Sequence, residues 1–247
     1  MHEIFLNAEQ LFFVGGYPIT NALLLTFVVV ALLALSSVVF SKRLALVPTG
    51  AQNVVEFGIE SFLGLTESVF GSRAKAERYF PFVATIFVFV LCSNWFGVLP
   101  GVGSVGFLDT AHHTFVPFLR SPASDLNFTL ALAATTVIAT HIFGIRALGV
   151  GAHVSKFFNF SSPINFFIGI LELISEVAKI ISFSFRLFGN VFAGEVLLVV
   201  IAFLVPYAAP LPFLFLELFV GFVQAFVFAM LATVFTAVAV TGHEEGH

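Results

Sequence analysis

At 247 residues, with 59% hydrophobic and only 10% charged side chains, the chain lies far from the about 25% charge of soluble domains and reads as an integral membrane protein. Its net charge of −4 gives no reason to expect nucleic acid, and the single Cys92 excludes an intrachain disulfide framework and shows no metal-ligand spacing. Thirty-five Phe against one Trp suit lipid-facing and helix-packing surfaces and imply no cofactor.

The opening stretch, MHEIFLNAEQ, holds no Lys or Arg, which argues against a cleaved signal peptide or an Arg-rich transit peptide. Residues 19–40 are long and apolar enough for a first span. Residues 49–71 alternate apolar positions with Glu56, Glu60 and Glu67, the pattern of an amphipathic interfacial helix, with a short re-entrant pair as the alternative. A second span is expected at 80–99, a Gly-rich loop at 100–124, and a third span at 125–145 capped by Ser124 or Asp125. Residues 163–205 and 211–241 are continuously helix-compatible and form a hairpin through the turn PYAAPLP. At 1.5 Å per residue the arms are roughly 64 and 46 Å long, against a hydrocarbon core of about 30 Å. No proline interrupts either arm after its first few residues, so strong tilt is expected rather than a break. The fold class is thus an all-α membrane protein, one domain over residues 1–247, with about five crossing helices, an interfacial helix and no internal repeat.

Lys and Arg in the connecting segments set the orientation. There are five in 41–79, two in 144–162 and one in 100–124, so seven face one side and one the other. With five crossings, the N-terminus is expected outside and the C-terminus in the cytoplasm.

Two motifs mislead. GVGSVG at 101–106 matches a dinucleotide fingerprint, but it follows a membrane span instead of opening a βαβ unit. HEEGH at 243–247 matches a zinc-protease pattern, yet it closes the chain with no room for a third ligand. The pair His112-His113 reads as a loop feature, and His141 as a histidine satisfying a backbone or hydroxyl partner.

The chemistry concentrates in ELISEVAKIISFSFRLFGNVFAGE, residues 172–195. An ionisable group in mid-bilayer costs roughly 2.5–3.5 kcal/mol, so these side chains should face a cavity or a partner. Arg186 has Phe183, Ser182, Gly189 and Asn190 three and four residues away, none of them acidic. Its counter-charge therefore has to come from elsewhere. Glu172, Lys179 and Arg186 recur every seven residues and share a helix face, with Asn190 one turn beyond. Glu176 and Lys179, three apart, form a structural salt bridge. Glu195 lies nine residues beyond Arg186, half a rotation away. The second arm supplies Glu217 and Gln224, and folding the hairpin about residue 208 lets Glu195 and Glu217 approach. Two carboxylates sharing a poorly solvated site can exchange a proton; two groups kept protonated in packing are the bland alternative. Arginine does not deprotonate in proteins, so Arg186 blocks a straight leak between acidic vestibules.

SFRLFGNVFAGE at 184–195 closely resembles subunit a of the F-type ATP synthase. PTGAQN (48–53), SNWFGVLPG (93–101), SDLNFTLALA (124–133) and ELFVGFVQAFVFAML (217–231) are similar to the family's segments in the same order. The resemblance implies a non-catalytic, proton-translocating stator subunit in a bacterial inner membrane, or an organelle's energy-coupling membrane. It implies as partners a rotating c-ring with ion-binding carboxylates, peripheral-stalk b subunits and the lipid bilayer, and protons or Na⁺ as the ion. It makes Arg186 the essential arginine, Asn190 and Gln224 its polar flanks, Glu195 and Glu217 the outer half-channel and Glu172 the cytoplasmic one. Asp125 and Asn127 would lie near the outer entrance. Several relatives carry a histidine where this chain has Glu217, so its relay should titrate differently. ATP chemistry is expected on other subunits, since the chain holds no phosphate-binding Walker pattern. A stand-alone ion channel or secondary transporter is the competing reading and predicts ion flux from this polypeptide alone. A structural membrane anchor is a third, in which Arg186 would be dispensable.

Overall fold

The computed structural model describes residues 8–42, 44–47, 49–103, 105–109, 114–155, 157, 162–205 and 209–241. The pairs His112-His113 and the HEEGH tail lie outside them. Five helices are long and apolar enough to cross a membrane, and the protein is a multi-pass membrane protein.

A hairpin of β1 (Gln10–Val14) and β2 (Tyr17–Thr20) precedes the first helix. Its turn residues Gly15 and Gly16 both have positive φ, as a tight two-residue hairpin turn requires. Thr20 then caps α1 (Asn21–Ser41) by accepting from the Leu23 amide at 3.2 Å. Only Asn21, Ala22, Leu25 and Val29 of α1 are buried, and the rest of this apolar helix faces outward, as a lipid-exposed span should.

In α2 (Ala51–Phe70) Leu63, Thr66 and Phe70 are buried while Glu56, Glu60 and Glu67 point out, the expected amphipathic pattern. Gly71, at φ 65°, ends the helix in the left-handed conformation. The next helix, α3 (Arg73–Val98), begins seven residues before the apolar span expected at 80–99. Its basic first turns are helix formers and cost nothing outside the hydrocarbon. Arg73 clasps α2 to α3: it donates to both carboxylate oxygens of Glu60 at 3.0 and 3.1 Å, and to Glu67 and Glu77 at 3.4 and 2.8 Å.

The 100–124 segment is not a featureless loop. It holds β3 (Pro100–Gly103), an antiparallel pair of β4 (Gly106–Asp109) and β5 (Thr114–Pro117), and a short 3-10 turn at Pro122–Ser124. Asp125 caps α4 (Leu126–Leu148), accepting from the Asn127 amide at 2.9 Å. A short helix unforeseen from sequence, α5 (Val150–Ser155), follows Gly149. The two arms are α6 (Pro163–Leu204), a single helix of 42 residues, and α7 (Pro210–Val240) of 31 residues.

The arms do not form an isolated hairpin. Phe183, Leu187 and Val191 of α6 pack with Ala225, Phe228 and Ala232 of α7, with Ile86 and Val90 of α3, and with Ala133 and Val137 of α4. The rings of Phe183 and Phe228 stand 4.6 Å apart. The buried face of α7 is built from small residues (Gly221, Ala225, Ala229, Ala232, Thr233, Thr236), which let neighbouring backbones come close where lipid supplies no hydrophobic drive. A smaller cluster of Leu63, Phe70, Ala76 and Tyr79 with Ala237 seats α2 against α3 and α7.

The clasp makes a pH prediction. Hydrogen bonding to Arg73 and its positive charge hold the Glu60 carboxyl below the ordinary glutamate range. A carboxyl lowered on folding gives stability that is complete above its unfolded value, about 4.3, and lost as pH falls through the lowered one. Acidification from pH 5 to pH 3 should therefore lower the hydrogen-exchange protection factors in α2, taken relative to the intrinsic rate at each pH, and Glu60→Gln should remove part of that step. The effect is small and weakens in salt, because the clasp is exposed. An acid step unchanged in the Gln variant would contradict it.

Candidate functional site: the ionisable face of the long helix and its partners

Arg186 sits midway along α6 with its side chain exposed. Among the described residues its one hydrogen bond goes to the Ser182 hydroxyl at 3.4 Å, and no carboxylate lies within 4.0 Å. The surrounding surface is open and made of small side chains: Ser175, Ala178, Ser182, Gly189 and Ala193 are all exposed. The adjoining face, with Phe183, Leu187, Val191 and Gly194, is buried against the other helices. Helical spacing thus splits α6 into a packed side and a side carrying a cation with no carboxylate partner among the described residues.

One turn beyond, Asn190 Nδ2 donates to Gln224 Oε1 at 2.6 Å, linking α6 to α7. Gln224 is buried, and its Nε2 has no hydrogen-bond partner among the described residues. Both polar residues expected beside Arg186 are therefore brought together by the two arms.

Glu195 faces away from Arg186, as half a rotation demands. Its carboxylate pairs with Arg120 Nη2 at 3.6 Å, the two side chains being 27% and 10% exposed. Arg120 is held in turn by Nε donating to Ser124 Oγ at 3.1 Å, and Ser124 Oγ donates to the Ser121 carbonyl. Reading the sequence gives Arg120 only as a loop charge; its role as the Glu195 partner depends on a fold-back of 75 residues that no local pattern signals.

Glu217 of α7 lies against Gly194, where a Cβ would run into its carboxyl group. It is close enough to Glu195 for the two charges to interact. The turn of α7 that bears Glu217 is fixed by α3. Trp95 Nε1 donates to the Leu218 carbonyl at 2.9 Å, and Asn94 Nδ2 donates to the Gly221 carbonyl at 3.0 Å. Gly194, Asn94 and Trp95 are thus positioning residues missed from sequence, although the SNWFG segment contains two of them.

Asp125 and Asn127 start α4. Asp125 is buried and its Oδ1 takes both the Asn127 amide and Asn127 Nδ2, at 2.9 and 3.2 Å. They follow directly on the 3-10 turn that packs against α6, so they neighbour the Arg120–Ser124 group.

Toward the N-terminal end of α6, Glu172 is half-buried and makes no ion pair among the described residues. The expected bridge is present, with Lys179 Nζ 2.6 Å from Glu176 Oε1. Lys179 also stands over the Phe235 ring at 4.8 Å, a cation–π contact. His141 departs from expectation. Instead of a backbone or hydroxyl group it meets Glu176 Oε2 through Nε2 at 3.2 Å and His153 Nε2 through Nδ1 at 3.1 Å.

Acidic groups thus stand on both sides of Arg186 along α6. Glu176 is ten residues before it and Glu195 nine after, about 15 and 13.5 Å. A fixed cation between two separated carboxylate groups can hold an incoming negative charge and cannot itself carry a proton.

Residues 22–237 match the family described as ATP synthase A chain. An ATP synthase subunit a of Moorella thermoacetica is 34% identical over 236 residues, covering 95% of this chain and 97% of that protein. One from Campylobacter jejuni is 38% identical over 222 residues, 88% of this chain and 89% of that protein. One from Campylobacter fetus is 31% identical over 245 residues, covering 99% of this chain and all of that protein.

The packing of Glu217 on Gly194 can be tested by itself. Gly194→Ala should lose part or all of the helix-propensity gain of about 1 kcal/mol, because the Glu217 carboxyl has to move aside. Gly189→Ala, whose Cβ meets nothing within 4 Å, should show that gain in full and raise stability by up to about 1 kcal/mol. Thermal unfolding in detergent compares the two, and equal effects would contradict the packing described.

Proposed function

The chain belongs to the ATP synthase A chain family, and we propose that it is the stator-side ion path of the F-type membrane sector. The single observation behind this reading is Arg186: an exposed cation on an apolar helix, surrounded by small side chains and without a carboxylate partner among the described residues. A surface of Ser, Ala and Gly lets another helix approach closely. A guanidinium in that setting demands an anion from whatever approaches. A ring of c subunits, each presenting an ion-binding carboxylate, supplies it.

The mechanism then follows from fixed and mobile charges. Each ring carboxylate that reaches Arg186 is stabilised in its ionised form and gives up its proton to the vestibule on the Glu172 side. Moving past, it gains a proton from the Glu195/Glu217 side before it re-enters lipid. Arg186 separates the two half-channels, since a proton cannot pass through a group that does not deprotonate. Asn190 and Gln224, bridged across the arms, keep the polar surface beside it in place. Asp125 and Asn127 border the outer mouth. A transmembrane potential supplies about 2.3 kcal/mol per charge per 100 mV, which turns the ring in one direction.

In this reading the protein sits in a bacterial inner membrane with its N-terminus outside and its C-terminus in the cytoplasm, as the loop charges favour. The b subunits of the peripheral stalk hold it against the torque of the ring. Proton transfer is its task, Na⁺ being the other ion the same charges would serve, and ATP is made on other subunits.

Arg186→Ala in the assembled complex should reduce ATP-driven proton pumping into inside-out vesicles by about a hundredfold or more. Arg186→Lys should not restore it, because a compact ammonium does not replace a bidentate fork. Normal pumping by the Ala variant would remove this reading and leave the chain a membrane anchor.

A further inference from the structure

Three elements distant in sequence converge on His141. Glu176 comes from α6, His141 from α4 and His153 from α5, and both ring nitrogens of His141 are engaged, one by a carboxylate oxygen and one by a second imidazole. A salt bridge between Glu176 and Lys179 requires neither histidine: Lys179 takes Oε1, and Oε2 is left for His141. The two imidazole rings stand edge to face at 5.3 Å, with Phe157 closing over both at 5.9 and 5.8 Å. Gly144 makes room for this arrangement, since a Cβ there would strike the His153 ring. The side chains of Glu176 and His141 are 14% and 28% exposed, and His153 is buried. The charged group facing them from α6 is Lys179; α7 contributes the Phe235 ring, and Arg146 lies a turn further along α4.

We propose that Glu176, His141 and His153 form a proton relay between the vestibule beside Arg186 and the α4–α5 corner on the cytoplasmic side. This rests on the reading of the site given above. Imidazole, with its pKa near neutrality and two ring nitrogens, passes a proton in at one atom and out at the other. A proton on Glu176 Oε2 moves to His141 Nε2, breaking the O–H bond and forming N–H. The Nδ1–H bond of His141 breaks as its proton passes to His153 Nε2. Glu176 is left as the carboxylate paired with Lys179, His141 remains neutral, and His153 becomes the imidazolium. His153 is buried, so a side-chain rotation that brings its Nδ1 to solvent releases the proton there, and rotation of the His141 ring resets the path, which runs equally in reverse.

The test uses the whole complex in inside-out vesicles at pH 8, where protons on the cytoplasmic side are scarce. His141→Ala and His153→Ala should each slow ATP-driven pumping by about tenfold. Added imidazole should restore a large part of the rate, and a series of substituted imidazoles should restore it in an order set by their pKa. His141→Gln, which keeps a hydrogen-bonding side chain but cannot take up a proton, should be as slow as the Ala variant. Wild-type pumping in His141→Gln would overturn the relay, as would a loss in an assembled complex that no imidazole relieves, since that marks a purely structural clasp. Arg186→Ala, measured alongside, separates the two proposals: pumping that survives there removes the underlying site reading, whereas pumping lost there but intact in His141→Gln overturns the relay alone.

Discussion

A positive charge with no counter-ion among the described residues, Arg186, is the constraint from which the rest of the architecture follows. Placing Arg186 in mid-bilayer costs roughly 2.5–3.5 kcal/mol if nothing compensates. The fold could have turned it inward toward Glu195, but nine residues of helix put the two on opposite faces. Glu195 is instead paired with Arg120, and Glu176 with Lys179, its second oxygen meeting the His141 ring. Among the described residues, the ion-paired carboxylates nearest Arg186 in sequence are thus committed elsewhere in space. The cation is kept available on an outward face whose neighbours are Ser, Ala and Gly.

Holding that face outward requires the other face to pack tightly, and α7 provides the packing. Its small residues accept α3, α4 and α6 together, while Asn94 and Trp95 lock the turn carrying Glu217. Interhelical polar links in membranes contribute on average only about 0.6 kcal/mol. Their value here is geometric: they set Glu217 against Gly194 and beside Glu195, and Gln224 against Asn190. The carboxylate pair and the arginine thus lie at different heights on different sides of one helix. The two half-channels proposed above would use that arrangement.

The spans were legible because hydrocarbon thickness demands about 20 apolar residues and nothing else in the chain imitates them. Seven-residue spacing placed Glu172, Lys179 and Arg186 on one face, and the absence of proline indicated the continuity of α6, which runs unbroken for 42 residues. The early start of α3 was hidden because its first turns are charged, and hydropathy sees only the lipid-buried part. At six residues α5 is too short for periodicity to register. Arg120 with Glu195, and Glu176 with His141 and His153, are through-space encounters between segments far apart in the chain. Sequence shows each residue, but the pairing is a product of the fold.

Whether the missing counter-charge belongs to a neighbouring ring is decided most directly by proximity. In a Cys92→Ser background, single cysteines at Ser182 and Gly189 flank Arg186 on its exposed face, and one at buried Leu187 serves as the control. A second cysteine is placed beside the ion-binding carboxylate of the c subunit that the proposal sets against this face. Oxidation in native membranes should cross-link the c subunit to positions 182 and 189 and leave 187 unlinked. Cross-links absent from both exposed positions in an assembled complex would contradict the account, because Arg186 would then face lipid and its counter-charge would have to be sought elsewhere.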